Sequence, residues 1–406
     1  MKKRITGFLV KVLAAALVFA MFSLNAAPVS VQAATKKTVR VATQKELKKA
    51  LKNSKVGTIV LRTETVDPIT ITSTKAKKKK LIVDARNSVV TNNAKFKSVT
   101  VENAAKYVEN VSGNKITLVN NVSIEVTSGK KVKVLTFSNI SPWANLNYVV
   151  RNGASIGKIA FLEDDGRVTD LGGGSFRIVK SIYEDEELET ADYSIDLAFD
   201  ADGRILKETT ARTPKQNDEN DSRIYEYEYD ERGNLLKLVN SSPSYEYDTY
   251  VETYYYDDNN YLTGYSEEYD DRPVCGYDYV YDDHGRMTLC KYVEESTSRK
   301  FTYSYDKNGR LVEEKGIYYD LVYGEEGLEE EAARTYTTKT RYNKEGCELE
   351  VIYEWGGDAD AVKSVVTYEY DKKGNMISYR SEDYYDKDDP SNMNLYRNEY
   401  EYDDLG

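Results

Sequence analysis

Tyrosine is the residue type whose number and spacing most clearly suggest chemistry, since 36 of the 406 residues are tyrosines. Many alternate with charged residues, as Tyr225, Tyr227 and Tyr229 do with Glu226 and Glu228. In an extended strand this alternation places the rings on one face, where they can stack on a sugar or a peptide. The alternative interpretation is that the rings form the core of a sheet. The candidate binding tyrosines are Tyr227, Tyr229, Tyr256, Tyr281, Tyr305 and Tyr370.

A run of lysines offers a second candidate surface for binding. Lys77, Lys78, Lys79 and Lys80 are consecutive, and Lys75 lies just before them. Concentrated positive charge can dock on an anionic cell-wall polymer or surface. The alternative interpretation is a solvated turn between two strands.

Catalytic and metal-binding signals are weak. The single histidine, His284, stands in a turn pattern, so it predicts no nucleophilic triad, and no Cys-x-x-Cys pair or histidine cluster suggests zinc. Calcium would need carboxylates such as Asp200, Asp202 and the acidic run at 386–389, but the spacing is not that of an EF-hand. The sequence therefore predicts no enzyme activity, no cofactor and no metal site.

One repeated phrase positions the tyrosines: an aromatic residue, Asp or Asn, two variable residues, then Gly or once Asn. Asp and Gly at these positions are typical of a type I turn followed by a left-handed residue, which forms a three-residue hairpin loop. This loop would pair Tyr229 with Leu235, and only the copy at Tyr342 departs, with Glu348 at the partner position. Two strands per copy predict about sixteen strands in a curled antiparallel meander with the tyrosine face on its concave side. The eight copies begin at Phe199, Tyr229, Tyr256, Tyr281, Tyr305, Tyr342, Tyr370 and Tyr402.

This phrase resembles the YD-repeat (Rhs) proteins, which include bacterial wall-associated proteins, toxin-encapsulating shells and the shell region of teneurins. The resemblance covers roughly half of the chain. It implies a β-sheet array and raises an alternative function, a fragment of a toxin-delivery shell.

The residues before 171 follow a different pattern. Thr43 and Glu46 form a capping-box pattern before a helix of about ten residues. Most of the short β-branched runs beyond it, at 58–61, 81–83, 99–101, 116–119, 132–135, 148–150 and 159–162, lie 16 to 22 residues apart. This spacing predicts a small parallel β-solenoid capped by the helix, with a two-layer β-sandwich as the alternative.

The segment weakly resembles the start of a pectate-lyase-like β-helix, on the capping helix and the LIVDA sequence from Leu81 to Ala85. That resemblance implies a polysaccharide lyase as a less favoured enzymatic alternative. Its candidate residues would be Asp84, Arg86 and Arg151.

Charge divides the chain into the same two parts. Residues 35–170 contain 25 Lys and Arg against 11 Asp and Glu, a net charge of +14, whereas residues 171–406 contain 27 against 57, a net charge of −30. The predicted organisation is a basic solenoid-like domain at 35–170, a linker with the first strands at 171–198, and a repeat sheet at 199–406. The whole chain is therefore predicted to be all-β.

Residues 1–34 have the pattern of an export signal. Lys2, Lys3 and Arg4 precede an apolar run, and small residues near Ala33 suit a cleavage site. No later apolar stretch is long enough to span a membrane. We expect a secreted protein, or one held noncovalently at the cell surface.

The three cysteines are expected to be isolated thiols. Simple alternation places Cys275 on the tyrosine face and Cys290 on the opposite face, which disfavours a disulfide within that hairpin. Cys347 has no evident partner. The sequence as a whole predicts a non-enzymatic binding or scaffolding protein whose partners are cell-wall polymer, polysaccharide or a surface protein, and not nucleic acid.

Overall fold

The computed structural model describes residues 36–401, apart from gaps at 120–121, 140–145, 147, 164–165, 183–190, 214–221, 244–248, 271, 295, 325–326, 358–362 and 386–392. The predicted signal peptide, the eighth repeat turn at Tyr402 and the acidic run at 386–389 lie outside the described residues. Strands dominate the rest of the chain, which confirms the predicted all-β class.

Within the described residues, the first twelve strands pair only in parallel. The strands are β1 (Lys37–Val41), β2 (Val56–Arg62), β3 (Ile69–Ile71), β4 (Lys80–Asn92), β5 (Ser98–Glu109), β6 (Lys115–Val119), β7 (Ile124–Val126), β8 (Lys131–Val132), β9 (Val134–Ser138), β10 (Tyr148–Val150), β11 (Ser155–Ile156) and β12 (Ile159–Leu162). The main ladder has the order β1-β2-β4-β5-β6-β9-β12, and a second ladder joins β3, β4, β5, β7 and β10. Parallel strands stacked on successive turns of the chain form a β-solenoid, as predicted, and not a two-layer sandwich.

Helix α1 (Gln44–Lys52) covers the first turn of the solenoid, as its sequence predicts. The Thr43 side chain accepts a hydrogen bond from the Glu46 amide at 3.2 Å, and the Glu46 carboxylate accepts one from the Ala42 amide at 2.9 Å. This reciprocal cap fixes the start of the helix. Leu47 and Leu51 are buried on the inner face, where they join the solenoid core.

The second sheet is an antiparallel meander with 17 strands in the described residues, close to the predicted sixteen. It begins at Gly166, and Gly172–Gly174 forms its first hairpin turn with positive φ at all three residues. The strands are β13 (Gly166–Gly172), β14 (Ser175–Ile182), β15 (Ala191–Phe199), β16 (Ile205–Thr213), β17 (Ser222–Tyr229), β18 (Leu235–Ser241), β19 (Thr249–Tyr256), β20 (Leu262–Tyr269), β21 (Arg272–Tyr281), β22 (Met287–Glu294), β23 (Thr297–Tyr305), β24 (Leu311–Gly324), β25 (Gly327–Tyr342), β26 (Glu348–Gly357), β27 (Lys363–Tyr370), β28 (Met376–Tyr384) and β29 (Met393–Glu399).

Seven described repeat turns share one hydrogen-bond pattern. In the second copy, the Asp230 carboxylate accepts hydrogen bonds from the amides of Arg232 and Asn234, at 2.8 and 2.7 Å. The predicted pairing of Tyr229 with Leu235 is confirmed. The copy at Tyr342 keeps the same register, with Glu348 opposite the ring. The geometry that the seven turns share therefore comes from the Asp or Asn side chain. It tolerates an acidic residue opposite the tyrosine ring.

A bulge follows each repeat turn and corrects the prediction for Cys290. Tyr281 pairs with Met287, but Tyr279 pairs with Cys290, because one extra residue shifts the register. Cys290 is therefore buried on the tyrosine face, and not on the opposite face as alternation predicts. Cys275, Cys290 and Cys347 are free thiols, as expected.

The repeat turns pack along the solenoid, and both parts belong to one unit from Lys37 on. The Asp202 carbonyl oxygen in the first turn accepts a hydrogen bond from the Ile156 amide at 2.9 Å. The sixth turn accepts one from the Val66 amide on the Gly346 carbonyl oxygen at 3.0 Å. Asn375 in the seventh turn contacts Arg40 at 2.5 Å. Later turns thus contact earlier parts of the solenoid.

These contacts require a curled sheet. Twelve strand intervals separate the first repeat turn from the seventh, about 58 Å along the sheet, whereas the solenoid ladder has six intervals, about 29 Å. Because the sheet is about twice as long as the solenoid ladder that its two ends contact, its middle repeats bow away. Tyr227 and Leu238 of the tyrosine face share a core with Tyr148 and Val150 of the solenoid. The tyrosine face is therefore turned toward the solenoid.

Alanine substitutions at Gly233 and Gly309 test how closely a repeat turn packs against the solenoid. Both have positive φ, 80° and 84°, so alanine costs about 1 kcal/mol at either position. An added Cβ at Gly233 would lie 2.1 Å from the Val150 carbonyl oxygen, whereas at Gly309 the nearest atom is 3.8 Å away. We expect Gly233→Ala to lower the free energy of unfolding by about 2 kcal/mol and Gly309→Ala by about 1 kcal/mol. Urea unfolding measures the free energy of unfolding of both variants. Equal losses would contradict close packing of the second repeat turn against the solenoid.

Candidate ligand-binding surface

The six tyrosines predicted as binding residues lie within three residues of a repeat turn, where neighbouring hairpins meet. Tyr227 is buried in the core shared with the solenoid, and the other five are half-buried. The Tyr281 hydroxyl donates a hydrogen bond to the Leu262 carbonyl oxygen at 2.7 Å, and the Tyr305 hydroxyl donates one to Met287 at 2.6 Å. Each of these two bonds joins one hairpin to the hairpin before it. These contacts favour a structural role for the rings nearest the turns.

A second set of rings lies farther from the turns, in one row across β19 to β22. The ring row consists of Tyr254, Tyr265, Tyr277 and Tyr292, which are cross-strand neighbours in register. Successive ring centroids are 5.0, 5.5 and 4.6 Å apart. All four side chains are half-buried, so part of each ring is open to solvent. At the usual strand spacing the row is about 14 Å long.

Arg299 extends the ring row toward β24. Its guanidinium lies 5.1 Å from the ring centroid of Tyr292 and 5.3 Å from that of Tyr318. Cation–π contacts of this kind hold the guanidinium flat between two rings. The row therefore ends in a planar cation, and at its other end Tyr254 packs against the hydrophobic core.

Carboxylates lie beside the ring row on the same face. The carboxylate row consists of Glu252, Glu267 and Glu294, with Cys275 between the last two. Each of these residues is two positions along its strand from a member of the ring row. Two residues of extended chain span about 7 Å, so the two rows run side by side.

Tyrosine hydroxyls and one thiol support the carboxylate row. Glu267 accepts hydrogen bonds from Tyr250, Tyr265 and Cys275. Burial alone would raise the pKa of Glu267, but these three bonds hold it below its ordinary value. Burial raises the pKa of Glu252, and the charge of Glu267 raises it further against the hydrogen bond from Tyr254. Burial and the bond to Glu267 raise the pKa of Cys275 to about 12, so it stays a neutral donor.

No family model matches the chain. No curated protein matches its sequence either. Among solved structures, a porin-like protein from Bacteroides uniformis is 12% identical over 55% of this chain and 93% of its own, with a TM-score of 0.27. A porin-like protein from Bacteroides vulgatus is 12% identical over 59% and 98%, with a TM-score of 0.19. A protein of unknown function from Bacteroides fragilis is 13% identical over 34% and 88%, with a TM-score of 0.12. With TM-scores this low, none of the three bears on the fold or function of this chain.

The structure divides the predicted lysine surface. Lys77, Lys78 and Lys80 are exposed, the first two within a 3-10 turn at Ala76–Lys78. Lys79 is buried, and its ammonium donates hydrogen bonds to the carbonyl oxygens of Asn53 and Val56 at 2.5 and 2.7 Å. This burial argues against Lys79 as a binding residue, because its ammonium group is bonded to the turn that follows helix α1. Three lysines remain available to an anionic partner.

Of the three lyase candidates, Asp84 and Arg151 have other partners, and Arg86 is exposed on the solenoid surface. Asp84 forms an ion pair with Arg62 at 3.1 Å and accepts a hydrogen bond from Asn103 at 2.9 Å. Arg151 forms an ion pair with Glu125 at 3.1 Å. Asp84 is thus bonded within the solenoid, whereas Arg151 also donates a hydrogen bond to the Asn234 side chain beside the second repeat turn. No contact joins these two candidates in the described residues.

His284 lies in the exposed fourth repeat turn, where its ring contacts Asp283 at 2.7 Å. Asp282, the turn residue beside it, is already bonded to the amides of His284 and Arg286. Asp200, which was considered for calcium, likewise caps its own turn and pairs with Arg204 at 2.6 Å. The carboxylates that fix the turns are thus occupied by turn contacts.

A polar cavity of about 370 Å³ lies where the solenoid meets the first two repeat turns. Arg151 and Gly153 line it from the solenoid, and Asp202, Arg204 and Glu231 line it from the turns. Both arginines already form ion pairs, with Glu125 and Asp200. The cavity is therefore a gap where the solenoid and the repeat sheet pack against each other, and its arginines already have partners within the protein.

Sequence reasoning missed the ring row, because its members are visible only after the strands are aligned. A usable signal was present: Tyr254 and Tyr277 each lie on the same face of their strand as a repeat tyrosine, two or four residues before it. Tyr265 lies two residues after the bulge residue of its strand, and Tyr292 lies four residues after that of its own strand.

Among the described residues, no helix is long and apolar enough to cross a lipid bilayer.

Proposed function

We propose that this protein is exported and binds polysaccharide at the cell surface through the ring row, without catalysing a reaction. The ring row carries the proposal. Four half-buried rings spaced 4.6 to 5.5 Å apart present a continuous aromatic surface on one sheet face. The apolar faces of sugar rings stack on such surfaces, and partly desolvated aromatic side chains dominate many binding interfaces.

The rigid setting of the rings supports the same proposal. Each ring stands on a strand that is paired on both sides, and hydrogen bonds from Tyr254 and Tyr265 to Glu252 and Glu267 fix two of the ring orientations. Little side-chain freedom remains to be lost when a polymer binds, which favours affinity. The exposed Lys77, Lys78 and Lys80 on the basic solenoid give a second point of contact with an anionic cell wall.

Retention on insoluble polysaccharide tests this proposal. The protein lacking its predicted signal peptide is mixed with insoluble peptidoglycan, chitin, deacetylated chitin and cellulose, and the fraction that sediments is measured. We expect wild-type protein to bind at least one of these polymers, and Tyr277→Ala combined with Tyr292→Ala to bind about tenfold more weakly, a loss of about 1.4 kcal/mol.

Tyr255→Ala is the matched control. Tyr255 lies on the same sheet but on the opposite face, where its side chain is 54% exposed. Its loss is expected to leave retention unchanged. Equal weakening by the control, or no retention of the wild-type protein on any polymer, would contradict the proposal.

A further inference from the structure

Two carboxylates face each other across strands on the tyrosine face. Glu252 and Glu267 are directly opposite in the β19–β20 pair. Like charges in this position destabilise a sheet, and half-burial adds to the cost. Glu294 continues the carboxylate row, two strands beyond Glu267. An arrangement that repels itself in the free protein is stabilised when a cation lies between its members.

The protein itself supplies no such cation in the described part of the chain. Glu252, Glu267 and Glu294 receive hydrogen bonds from tyrosine hydroxyls and from the Cys275 thiol, which are neutral groups. No lysine or arginine is among the groups that act on Glu252 and Glu267, and Glu294 forms no ion pair within the described residues. The negative charge of the row is therefore held in place by donors that do not neutralise it.

The ring row, which lies beside the carboxylate row, determines what kind of cationic ligand fits this surface. A ligand stacked on the rings has one edge directed at the carboxylate row, which is about 7 Å from the ring row along the strands. Aromatic faces also attract cations directly, and the effect strengthens as water is excluded. The ligand should therefore combine flat apolar faces with positive charges along one edge.

We propose that the ring row and the carboxylate row together select a polysaccharide that carries free amines, such as a glucosamine polymer without its acetyl groups. This inference rests on the proposed function and adds the substrate class. Residues 171–406 carry a net charge of −30, which attracts a cationic polymer and repels an anionic one. Each sugar unit of such a polymer supplies a ring to stack and an amine to pair, in the repeating order that two parallel rows require.

Two soluble oligomers of equal length test this inference. Binding of the glucosamine hexamer and the N-acetylglucosamine hexamer is measured by calorimetry in a slightly acidic buffer, in which the free amines carry protons. We expect the glucosamine hexamer to bind at least tenfold more tightly. Glu252→Gln combined with Glu267→Gln should reduce this preference to threefold or less, and Glu294→Gln alone should reduce it partly.

Glu268→Gln is the control, because Glu268 is exposed on the opposite face of the same strand. It should leave the preference unchanged, and thermal unfolding shows whether each variant is folded. Equal affinity for both hexamers would overturn the inference while leaving the proposed function intact. A preference that survives in the double variant and in Glu294→Gln would also overturn it. If neither hexamer nor any insoluble polymer binds, the proposed function fails with it.

Discussion

Replacing Arg310 with alanine is expected to lower the free energy of unfolding by about 3 kcal/mol. The Arg310 guanidinium forms two hydrogen bonds to Asp67 of the solenoid, at 2.6 and 2.9 Å, and a third to the Asn343 carbonyl oxygen at 2.9 Å. It also lies 5.7 Å from the ring centroid of Tyr342. The arginine side chain is 9% exposed and that of Asp67 is 34% exposed, so solvent weakens the pair only in part. Its removal would break the contact between the fifth repeat and the solenoid, while the sixth turn keeps its hydrogen bond to Val66.

Arg286→Ala is the matched control for this effect. Arg286 occupies the same position in the preceding repeat, but it pairs with Asp282 of its own turn and lies 4.9 Å from the ring centroid of Tyr305. The Arg286 side chain is more exposed than that of Arg310 and its partner lies in the same turn, so Arg286→Ala is expected to cost clearly less stability than Arg310→Ala. Urea unfolding of both variants measures the difference. If the two losses are equal, the Arg310 contact does not anchor the sheet to the solenoid.

Stability is expected to fall as the pH rises from about 4.5 to about 7, and Glu208 accounts for about 3 kcal/mol of this fall. Glu208 is 3% exposed, and burial raises its pKa from 4.5 to about 7, against a hydrogen bond from the Leu146 amide. Because the pKa is higher in the folded state than in the unfolded state, the folded protein binds more protons within this window. Its contribution is therefore complete below about 4.5 and lost above about 7.

Glu208→Gln should remove this part of the pH dependence. The difference in unfolding free energy between wild type and variant is measured by urea unfolding at pH 5 and pH 8, and the variant should gain about 2.5 kcal/mol relative to wild type between the two. The pKa of Glu109 is also raised by burial to about 7, and this group contributes equally to both proteins. Glu226→Gln is the control, since the Glu226 side chain is 55% exposed. A wild-type pH profile that Glu208→Gln leaves unchanged would refute the assignment.

The local parts of this fold could be predicted from sequence because local chemistry determines them. The repeat turn depends on an Asp or Asn side chain and on a left-handed residue three positions later, so Tyr229 and Leu235 could be paired in advance. The helix cap at Thr43 is another such case. Cys290 was assigned to the wrong face because the bulge after the turn depends on hydrogen bonding between strands.

The contacts between distant segments could not be predicted in this way. Arg310 and Asp67 are 243 residues apart, and no pattern in either segment indicates the other. Net charges of +14 and −30 allow the two parts to attract each other, but they do not indicate which turn contacts which part of the solenoid. The ring row has the same origin, because aligning Tyr265 with Tyr277 requires the register of the β20–β21 pair, which no repeat turn connects.

Hydroxyl-radical footprinting of the tyrosines, with and without bound polysaccharide, tests the central claim most directly because it needs no substitution. We predict that bound polymer lowers the oxidation of Tyr265, Tyr277 and Tyr292. Tyr255, on the opposite face, and Tyr396, which is 58% exposed on β29, should remain equally reactive. Protection of Tyr255 while the ring row stays reactive would contradict the assignment of the binding surface.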